Sequence, residues 1–369
     1  MEKKNTWETY SSKQLKELEK INAQYRDFLD NGKTERECID TIVNTIEKSG
    51  YRELESLIKE GAALKTGDKV YSVWMNKSIA MFQIGRKPMT DGMNILGAHI
   101  DSPRLDVKQN PLYEDGGFAY LDTHYYGGVK KYQWVTIPLA IHGVIVKKDG
   151  TCVEINIGEN EDDPVFFVSD LLIHLAQEQL EKKAAKVIEG EALDIIVGNK
   201  PLLIDKKDKK KDEKEAGKAG VLDILKETYD IHEEDFVSAE LEIVPAGKAR
   251  EAGFDRSMTL AYGQDDRVCA YTSMQAMLDS DVTDRTMCCI LVDKEEIGSV
   301  GATGMQSHFF ENAVAEVMNL AGEYSELNVR RCLAHSCMLS SDVSSAFDPT
   351  YASSFDKKNV AYLGSGMVI

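Results

Sequence analysis

One apolar run of the sequence ends abruptly in charge. Residues 288–292 read Cys-Cys-Ile-Leu-Val, and Asp-Lys-Glu-Glu follows, so that Glu295 and Glu296 stand just beyond the run. A short apolar run bounded in this way is typical of a strand buried on both faces of an α/β sheet. Ligands bind beyond the carboxyl ends of such strands. The pattern therefore predicts a binding site at Glu295 and Glu296, and its alternative is a solvated turn.

Three further segments place a metal-binding side chain after an apolar run. They read Ala-His-Ile-Asp-Ser-Pro around His99, Gly-Gln-Asp-Asp-Arg around Asp265, and Ser-Ser-Asp-Val-Ser around Asp342. One imidazole and several carboxylates suit a pair of divalent ions such as zinc or manganese, rather than copper or an iron–sulfur cluster. A two-metal site also needs a free base that accepts a proton from the bridging water. Two adjacent glutamates can divide these roles, one as a ligand and one as the base.

The composition restricts the possible partners. The chain has 369 residues, a formal net charge of −18 and seven scattered cysteines. Strong negative charge argues against binding to nucleic acids or anionic membranes. No apolar window reaches the 18 residues of a membrane span, so we expect a cytoplasmic protein with reduced thiols. No Ser/His/Asp triad or activated cysteine competes with the metal site.

The pattern of predicted elements changes along the chain. Two helical patterns and then three strand patterns precede Pro111, and antiparallel strand signals follow it. Residues 237–244 are predicted to form a strand with one buried face. Residues 166–180 are predicted to form a helix that carries His174, which is equally explained as a core histidine. Asp265 is predicted to open a helix, and residues 332–339 to form a strand that leads to Asp342. The length and the change of pattern indicate two domains.

Several motifs extend over nearly the whole chain in a fixed order. They include Ala-His-Ile-Asp-Ser-Pro-Arg at 98–104, Tyr-Gly-Gly at 126–128, Asp-Lys-Glu-Glu-Ile-Gly at 293–298 and Ser-Asp-Val at 341–343. With these motifs the chain resembles the aspartyl aminopeptidase/aminopeptidase I family of zinc metallo-aminopeptidases. The resemblance implies an α/β fold in which residues 1–110 and 237–369 form a catalytic α/β domain with a central mixed sheet. Residues 111–236 would form an inserted, β-rich dimerisation domain.

The resemblance also implies the ligands of two zinc ions in each subunit. His99 and Asp342 would hold one ion, Asp265 would bridge the two, and Glu296 would bind the second. Manganese or cobalt are the alternative metals.

Further roles follow from the same resemblance. Glu295 would be the general base, Asp101 would orient His99, and Asp266 would follow a strained peptide after the bridging ligand. His174 would reach the active site of a neighbouring subunit, because family members form dimers that assemble into a dodecamer. Peptides would be the substrates.

Two departures from the family pattern leave alternatives open. Residues 348–351 read Asp-Pro-Thr-Tyr where aspartyl members tend to carry His-Pro-Asn-Tyr, so the N-terminal residue removed is acidic or neutral. The chain stops before the part of the family domain that supplies a further metal histidine, so we expect an incomplete second site. The main hypothesis is a metallo-aminopeptidase. Its alternatives are a catalytically impaired or dead oligomeric scaffold of the same fold and a non-peptidase amidohydrolase.

Overall fold

The computed structural model describes residues 4–201 and 215–368. Within these ranges the α-helices are α1 Ser12–Asp30, α2 Glu35–Glu47, α3 Leu54–Glu60, α4 Gln177–Leu180, α5 Ala184–Val187, α6 Ala216–Tyr229, α7 Gln264–Asp279, α8 Phe309–Leu320 and α9 Glu326–His335. The strands are β1 Arg52–Glu53, β2 Lys69–Trp74, β3 Ser78–Gln83, β4 Asn94–His99, β5 Arg104–Asp115, β6 Phe118–Tyr126, β7 Leu139–Val146, β8 Cys152–Ile157, β9 Ile195–Gly198, β10 Ala239–Pro245, β11 Arg250–Ala252, β12 Met258–Leu260, β13 Met287–Val292 and β14 Cys337–Ser340. None of these helices has the length and apolar content needed to cross a lipid bilayer.

The chain folds into two compact units. The first comprises Met1–Asp101, Ala249–Glu295 and Ser299–Ile369, and the second comprises Ser102–Lys248 with Glu296–Gly298. The predicted division at 110/111 and 236/237 stays a proposal. Strand β5 begins at Arg104, before the predicted start of the insertion, and all of β10 lies after its predicted end.

A mixed sheet of six strands organises the first unit. Its order is β1-β2-β3-β13-β4-β14. Strand β13, the apolar run of the sequence, pairs antiparallel with β3 and parallel with β4, and β14 pairs parallel with β4 on the other side. Strands β2 and β3 pair antiparallel. The predicted α/β fold with a mixed sheet is therefore confirmed.

Helices cover both faces of this sheet, which explains why β13 is apolar at every position. Cys289 and Leu291 face a core that also contains buried residues of α1, α2 and α7. Cys288 and Ile290 face a second core with buried residues of α3, α8 and α9. Burial raises the pKa of the Cys289 thiol to about 12 and that of the Cys288 thiol well above its usual range.

The second unit is built on an antiparallel sheet with the order β8-β7-β10-β5-β6-β9. A buried arginine lies at the start of β5. Arg104 Nε is 2.7 Å from Asp106 Oδ1 and 3.2 Å from Glu242 Oε2, and its guanidinium stands 4.0 Å from the centre of the Tyr126 ring. The buried cation thus has carboxylate partners, as burial of a charge requires. The β-rich character predicted for this part of the chain is confirmed.

Two predicted elements are wrong. Residues 166–180 do not form one helix but contain the 3-10 turn Ile173–Leu175 and the single turn of α4. The apolar residues there run consecutively from Leu171 to Ile173, and the Asp170 carboxylate accepts the N–H of Leu171. A consecutive run gives a helix no separate polar face.

The predicted strand 332–339 is helical in its first part. Helix α9 continues to His335, and β14 begins only at Cys337. Ser325 caps α9 by accepting the N–H of Asn328, and Val329 and Cys332, three residues apart, point into the core. The cap and this spacing favour a helix over a strand.

Candidate metal centre

The pairing of three strands brings distant side chains to one edge of the mixed sheet. In the register of the parallel pairs, Val292 of β13 stands opposite His99, and Ser340 of β14 stands opposite Gly97 of β4. His99 is the last residue of β4, and the loops after β13 and β14 carry Glu295 and Asp342. Because parallel strands end at the same edge, His99 meets Glu295, 196 positions further on, and Asp342, 243 positions further on.

His99 lies at the centre of this cluster. Its ring nitrogen Nε2 is 3.4 Å from Asp265 Oδ1, 3.8 Å from Glu295 Oε2 and 4.0 Å from Asp342 Oδ1. The imidazole is buried, with 3% of its side chain exposed, whereas about half of each of these three carboxylate side chains is exposed. A ligand arriving from solvent therefore meets the carboxylates and finds one imidazole nitrogen at the base of the site.

Asp101 supports this arrangement from behind. It is fully buried, its Oδ1 lies 3.2 Å from Nδ1 of His99, and the same oxygen accepts the Glu295 N–H at 3.1 Å. The Asp101 carbonyl oxygen also lies 3.0 Å from Nδ1 of His99. A histidine whose Nδ1 faces a carboxylate in this way presents Nε2 to a metal ion in a fixed orientation. One carboxylate thus holds both His99 and the backbone of Glu295.

The charges around His99 raise its pKa. Burial alone lowers the pKa of the ring, but the hydrogen bond and the charge of Asp101, with the charges of Asp266 and Glu295, raise it to about 9. The cluster thus holds more negative charge than it can balance, and a proton on His99 compensates part of it. A divalent cation would compensate more of it and displace that proton.

Asp265 and Asp266 interrupt the start of helix α7. Their ψ angles of 111° and 31° are not helical, and the peptide bond between them is cis. The helix that the sequence predicted to open at Asp265 is present as α7, and its φ and ψ angles become regular after Asp266. Burial raises the pKa of Asp265, with the charge of Asp342 adding to the effect and His99 opposing it. Burial also raises the pKa of Asp266, to about 6, against the opposing effects of Cys269 and His99.

The sequence reasoning missed Arg267, which helps to shape the site. This buried arginine donates from Nε to the carbonyl oxygen of Ile100 at 3.1 Å and from Nη2 to that of Lys33 at 3.0 Å. Ile100 lies between His99 and Asp101, so Arg267 fastens the segment that carries both. The signal available in the sequence is an arginine directly after two aspartates, which by itself indicates no partner.

Residues 293–297, which follow β13 and include Glu295 and Glu296, form the carboxylate turn. Its backbone is unusual. Lys294 has a φ of +72°, a conformation that costs a residue other than glycine on the order of 1–3 kcal/mol. Its N–H donates to Asp293 Oδ1 at 2.7 Å, and its carbonyl oxygen accepts the Ser299 N–H at 2.6 Å. The 3-10 turn Glu295–Ile297 follows directly. These contacts hold the residue that precedes the two adjacent glutamates.

Two predicted site residues belong to the second unit. Glu296 follows Glu295 in the 3-10 turn, and it packs closely on Gly127, where an added Cβ would stand 3.2 Å from Glu296 Cβ. Gly127 has a φ of +71°, which glycine adopts without strain, and its lack of a Cβ leaves room for Glu296. His174 is exposed in the 3-10 turn Ile173–Leu175.

The donor groups fit a zinc ion. His99, Glu295 and Asp342 each offer one ligand atom, and these atoms lie within 4.8 Å of one another. Asp265, Asp266 and Asp342 form a second group of the same kind. Imidazole nitrogen and carboxylate oxygen are both zinc ligands, and shared use of Asp342 allows adjacent positions for metal ions.

A mixed α/β sheet with an imidazole and several carboxylates at its strand ends suits a metal-dependent hydrolase. Residues 28–369 match the family described as aminopeptidase I zinc metalloprotease (M18), and the chain belongs to this family. It is a zinc-dependent aminopeptidase, a hydrolase that acts on peptides. The family resemblance stated from the motifs is confirmed.

Known relatives agree with this assignment. A probable M18 family aminopeptidase 1 of Clostridium acetobutylicum is 60% identical over 367 residues, which cover 100% of this chain and 78% of that protein. The crystal structure of an M18 family aminopeptidase from Thermotoga maritima has a TM-score of 0.92 at 43% identity and covers 99% of this chain and 78% of its own. The aminopeptidase I structure from C. acetobutylicum has a TM-score of 0.88 at 58% identity, with coverage of 99% and 78%.

The role of Asp101 in the charge balance is open to a direct test. Replacing Asp101 with Asn removes the charge that raises the pKa of His99, so that in the metal-free protein this pKa should fall from about 9 by roughly 1 to 3. NMR titration of labelled histidine measures the change. The signal of His335, whose Nδ1 contacts the carbonyl oxygen of Thr90, is the internal control. An unchanged pKa of His99 would show that Asp101 does not set its charge.

Proposed function

We propose that the chain removes the N-terminal residue from peptides by means of a co-catalytic pair of zinc ions, with Glu295 as the general base. The observation that carries the proposal is the arrangement of His99, with Nε2 facing three carboxylates and Nδ1 facing the buried Asp101. Family membership identifies the metal as zinc. The number of ions and the role of each residue are part of the proposal.

The proposed ligands divide between two ions. His99 and Asp342 would hold one ion, Asp265 would be shared by both, and Glu296 would hold the other. The short distance between His99 Nε2 and Asp265 Oδ1, 3.4 Å, supports joint ligation by these two groups. Asp101 keeps His99 in the orientation that ligation needs. When bound, the zinc ions lower the pKa of a water molecule and polarise the peptide carbonyl.

Proton transfer is assigned to Glu295. Its side chain is about half exposed, and its backbone N–H is held by Asp101, so the carboxylate is accessible while its position is restrained. Glu295 accepts a proton from the attacking water and delivers it to the amine that leaves. A base positioned in this way usually accelerates a reaction by about 10²- to 10⁴-fold. Its neighbour Glu296 is the ligand of the pair.

A panel of aminoacyl-p-nitroanilides, assayed with added zinc, cobalt or manganese, tests the activity. We expect turnover of substrates with a free α-amine and none of their N-acetylated forms, because an aminopeptidase acts at a free N-terminus. Comparison of aspartyl, glutamyl, leucyl and alanyl substrates decides between acidic and neutral preference. Complete inactivity with every metal would support the non-catalytic scaffold instead, and hydrolysis of acetylated amides would support another amidohydrolase.

Two isosteric variants separate the base from the ligand. Glu295→Gln should lower kcat by at least ~10²-fold while zinc content stays at the parental level, since the amide cannot accept the proton. Glu296→Gln should lower zinc content, because a neutral amide is a poor replacement for a ligating carboxylate. Plasma emission spectrometry on dialysed protein, together with steady-state kinetics, measures both. The reverse pattern would exchange the two roles, and parental turnover by Glu295→Gln would exclude Glu295 as the base.

We also propose self-association through an exposed apolar segment of the second unit, defined as residues 171–180. Leu172, Ile173 and Leu175 are each more than 60% exposed, and they flank His174. Clusters of exposed apolar side chains of this kind mark interaction sites, and soluble homo-oligomers are most often two-fold dimers. A second copy that covers the segment would carry His174 to a neighbouring subunit. Dimers of this kind would be the building blocks of the dodecamer that the family resemblance implies.

Replacing Leu172 and Leu175 with Asp tests this association. The charged side chains should prevent burial of the segment, so sedimentation velocity should show a smaller species than the parent at the same concentration. Val237→Asp, at another exposed apolar residue of the second unit, is the matched control and should leave the sedimentation coefficient unchanged. An unchanged oligomer in the double variant would place the interface elsewhere.

A further inference from the structure

A chain of buried hydrogen bonds lies directly behind the carboxylate turn, and the mechanism proposed above does not use it. It consists of Ser78 at the start of β3, Asp293 after β13, and Thr303 in the loop before α8. All three residues are at least 94% buried. Buried polar groups that bond to one another fix the backbone segments to which they belong.

The connections run from side chain to side chain and to backbone. Thr303 Oγ1 donates to Asp293 Oδ2 at 2.6 Å, and Asp293 Oδ1 accepts the N–H of Lys294 at 2.7 Å. Ser78 Oγ donates to the Thr303 carbonyl oxygen at 2.6 Å and accepts the Asp293 N–H at 3.3 Å. A strand start, a strand end and a loop are thereby joined at one point.

The loop that contains Thr303 is itself held in place. Trp74 Nε1 donates to the Ala302 carbonyl oxygen at 2.9 Å, and the Gln306 N–H bonds to the Ser299 carbonyl oxygen at 3.2 Å. At Gly304 an added Cβ would overlap the Ser299 carbonyl, so the loop can fold back only with glycine at this position. These contacts restrain the loop, so the position of the Thr303 hydroxyl that bonds to Asp293 is restrained as well.

We propose that Thr303, with Ser78, is a positioning residue that holds the base Glu295 in place through Asp293 and Lys294. The inference rests on the proposed role of Glu295. Lys294 occupies a left-handed conformation immediately before Glu295, and the Asp293 carboxylate fixes the Lys294 N–H. Thr303 fixes the other oxygen of that carboxylate. Loss of the Thr303 hydroxyl removes one partner of Asp293 Oδ2 and leaves Lys294 Nζ, 3.4 Å away. The constraint on the backbone that aims Glu295 is thereby weakened.

The position of the network distinguishes it from general support of the fold. Asp101 holds the Glu295 N–H from the side of β4, and the Thr303 network holds the preceding residue from the side of β3. The two supports flank the turn and share no residue. A base that is misplaced by about 1 Å can cost on the order of 10²-fold in rate, so a defect here should appear in kcat rather than in substrate binding.

Two substitutions at Thr303 and one control test the inference. Thr303→Val keeps the shape of the side chain and removes the hydroxyl, whereas Thr303→Ser keeps the hydroxyl. Thr286→Val is the control: Thr286 is fully buried just before β13, and its Oγ1 accepts the Gly85 N–H at 3.0 Å, at the opposite end of the same strand. Each valine variant loses one buried hydrogen bond, but only the bond lost in Thr303→Val lies behind the carboxylate turn.

We expect Thr303→Val to lower kcat by about 10- to 100-fold, with KM and zinc content little changed. Thr303→Ser should keep most of the parental kcat, because it retains the hydroxyl. Amide hydrogen exchange of the peptide covering 293–297 should become faster in Thr303→Val and stay parental in Thr286→Val, in the presence and absence of zinc. Ser78→Ala, which removes the second hydroxyl of the network, should accelerate exchange in the same peptide and serves if Thr303→Val does not fold.

The outcomes separate this inference from the proposed function. Three results would each overturn the positioning role of Thr303. They are parental hydrogen exchange in Thr303→Val, faster exchange in Thr303→Val with parental kcat, and a loss of kcat in Thr286→Val equal to that in Thr303→Val. Parental turnover by Glu295→Gln would show that Glu295 is not the base. The hydrogen exchange of residues 293–297 would then still decide whether Thr303 holds the carboxylate turn. A loss of kcat rescued by serine, with faster exchange confined to the turn, supports the inference.

Discussion

The parallel pairing of β4 with β13 and β14 is the constraint on which the site depends. Each of the three strands ends at the same edge of the sheet, and the next few residues of each carry a ligand-type side chain. A slip of one residue in either pair would turn alternate side chains to the opposite face. The two helical layers that bury both faces of β13 prevent such a slip, because every one of its side chains is packed. The apolar core therefore specifies the geometry of a polar site outside it.

Electrostatics adds a second requirement. Four carboxylates, of Asp101, Asp265, Glu295 and Asp342, surround a single imidazole, and their repulsion is a cost that the fold carries in the absence of a cation. The arrangement distributes that cost unevenly. Asp101 is buried and bonded to protein groups, whereas the other three remain open to solvent, where an ion can reach them. A dication bound among them would reduce this repulsion.

The sequence predicted the parts of this structure that depend on local pattern. The apolar run at β13, the strand that ends in His99, the α/β class and the family all follow from short motifs, and the structure and the relatives confirm them. The positions of His99, Asp265, Glu295 and Asp342 at strand or helix ends were also predictable, and the structure brings them together. Their assigned roles as ligands and base remain proposals.

The remainder depends on contacts that no local pattern contains. The Ser78 and Asp293 partners are 215 residues apart, and the Arg267 and Ile100 partners are 167 apart. At 166–180 the apolar residues suggested a helix, but Leu172, Ile173 and Leu175 are exposed and do not pack into this chain's own core.

The two cysteines of β13 can report whether the helical layers separate from the mixed sheet. Their thiols face the two cores, and burial keeps them protonated at any ordinary pH, so alkylating reagents find neither thiolate nor access in the folded state. Because Cys288 and Cys289 point to opposite faces, separation of either helical layer from the sheet exposes one thiol without the other. The site of labelling would therefore identify which layer detaches first when the catalytic framework comes apart.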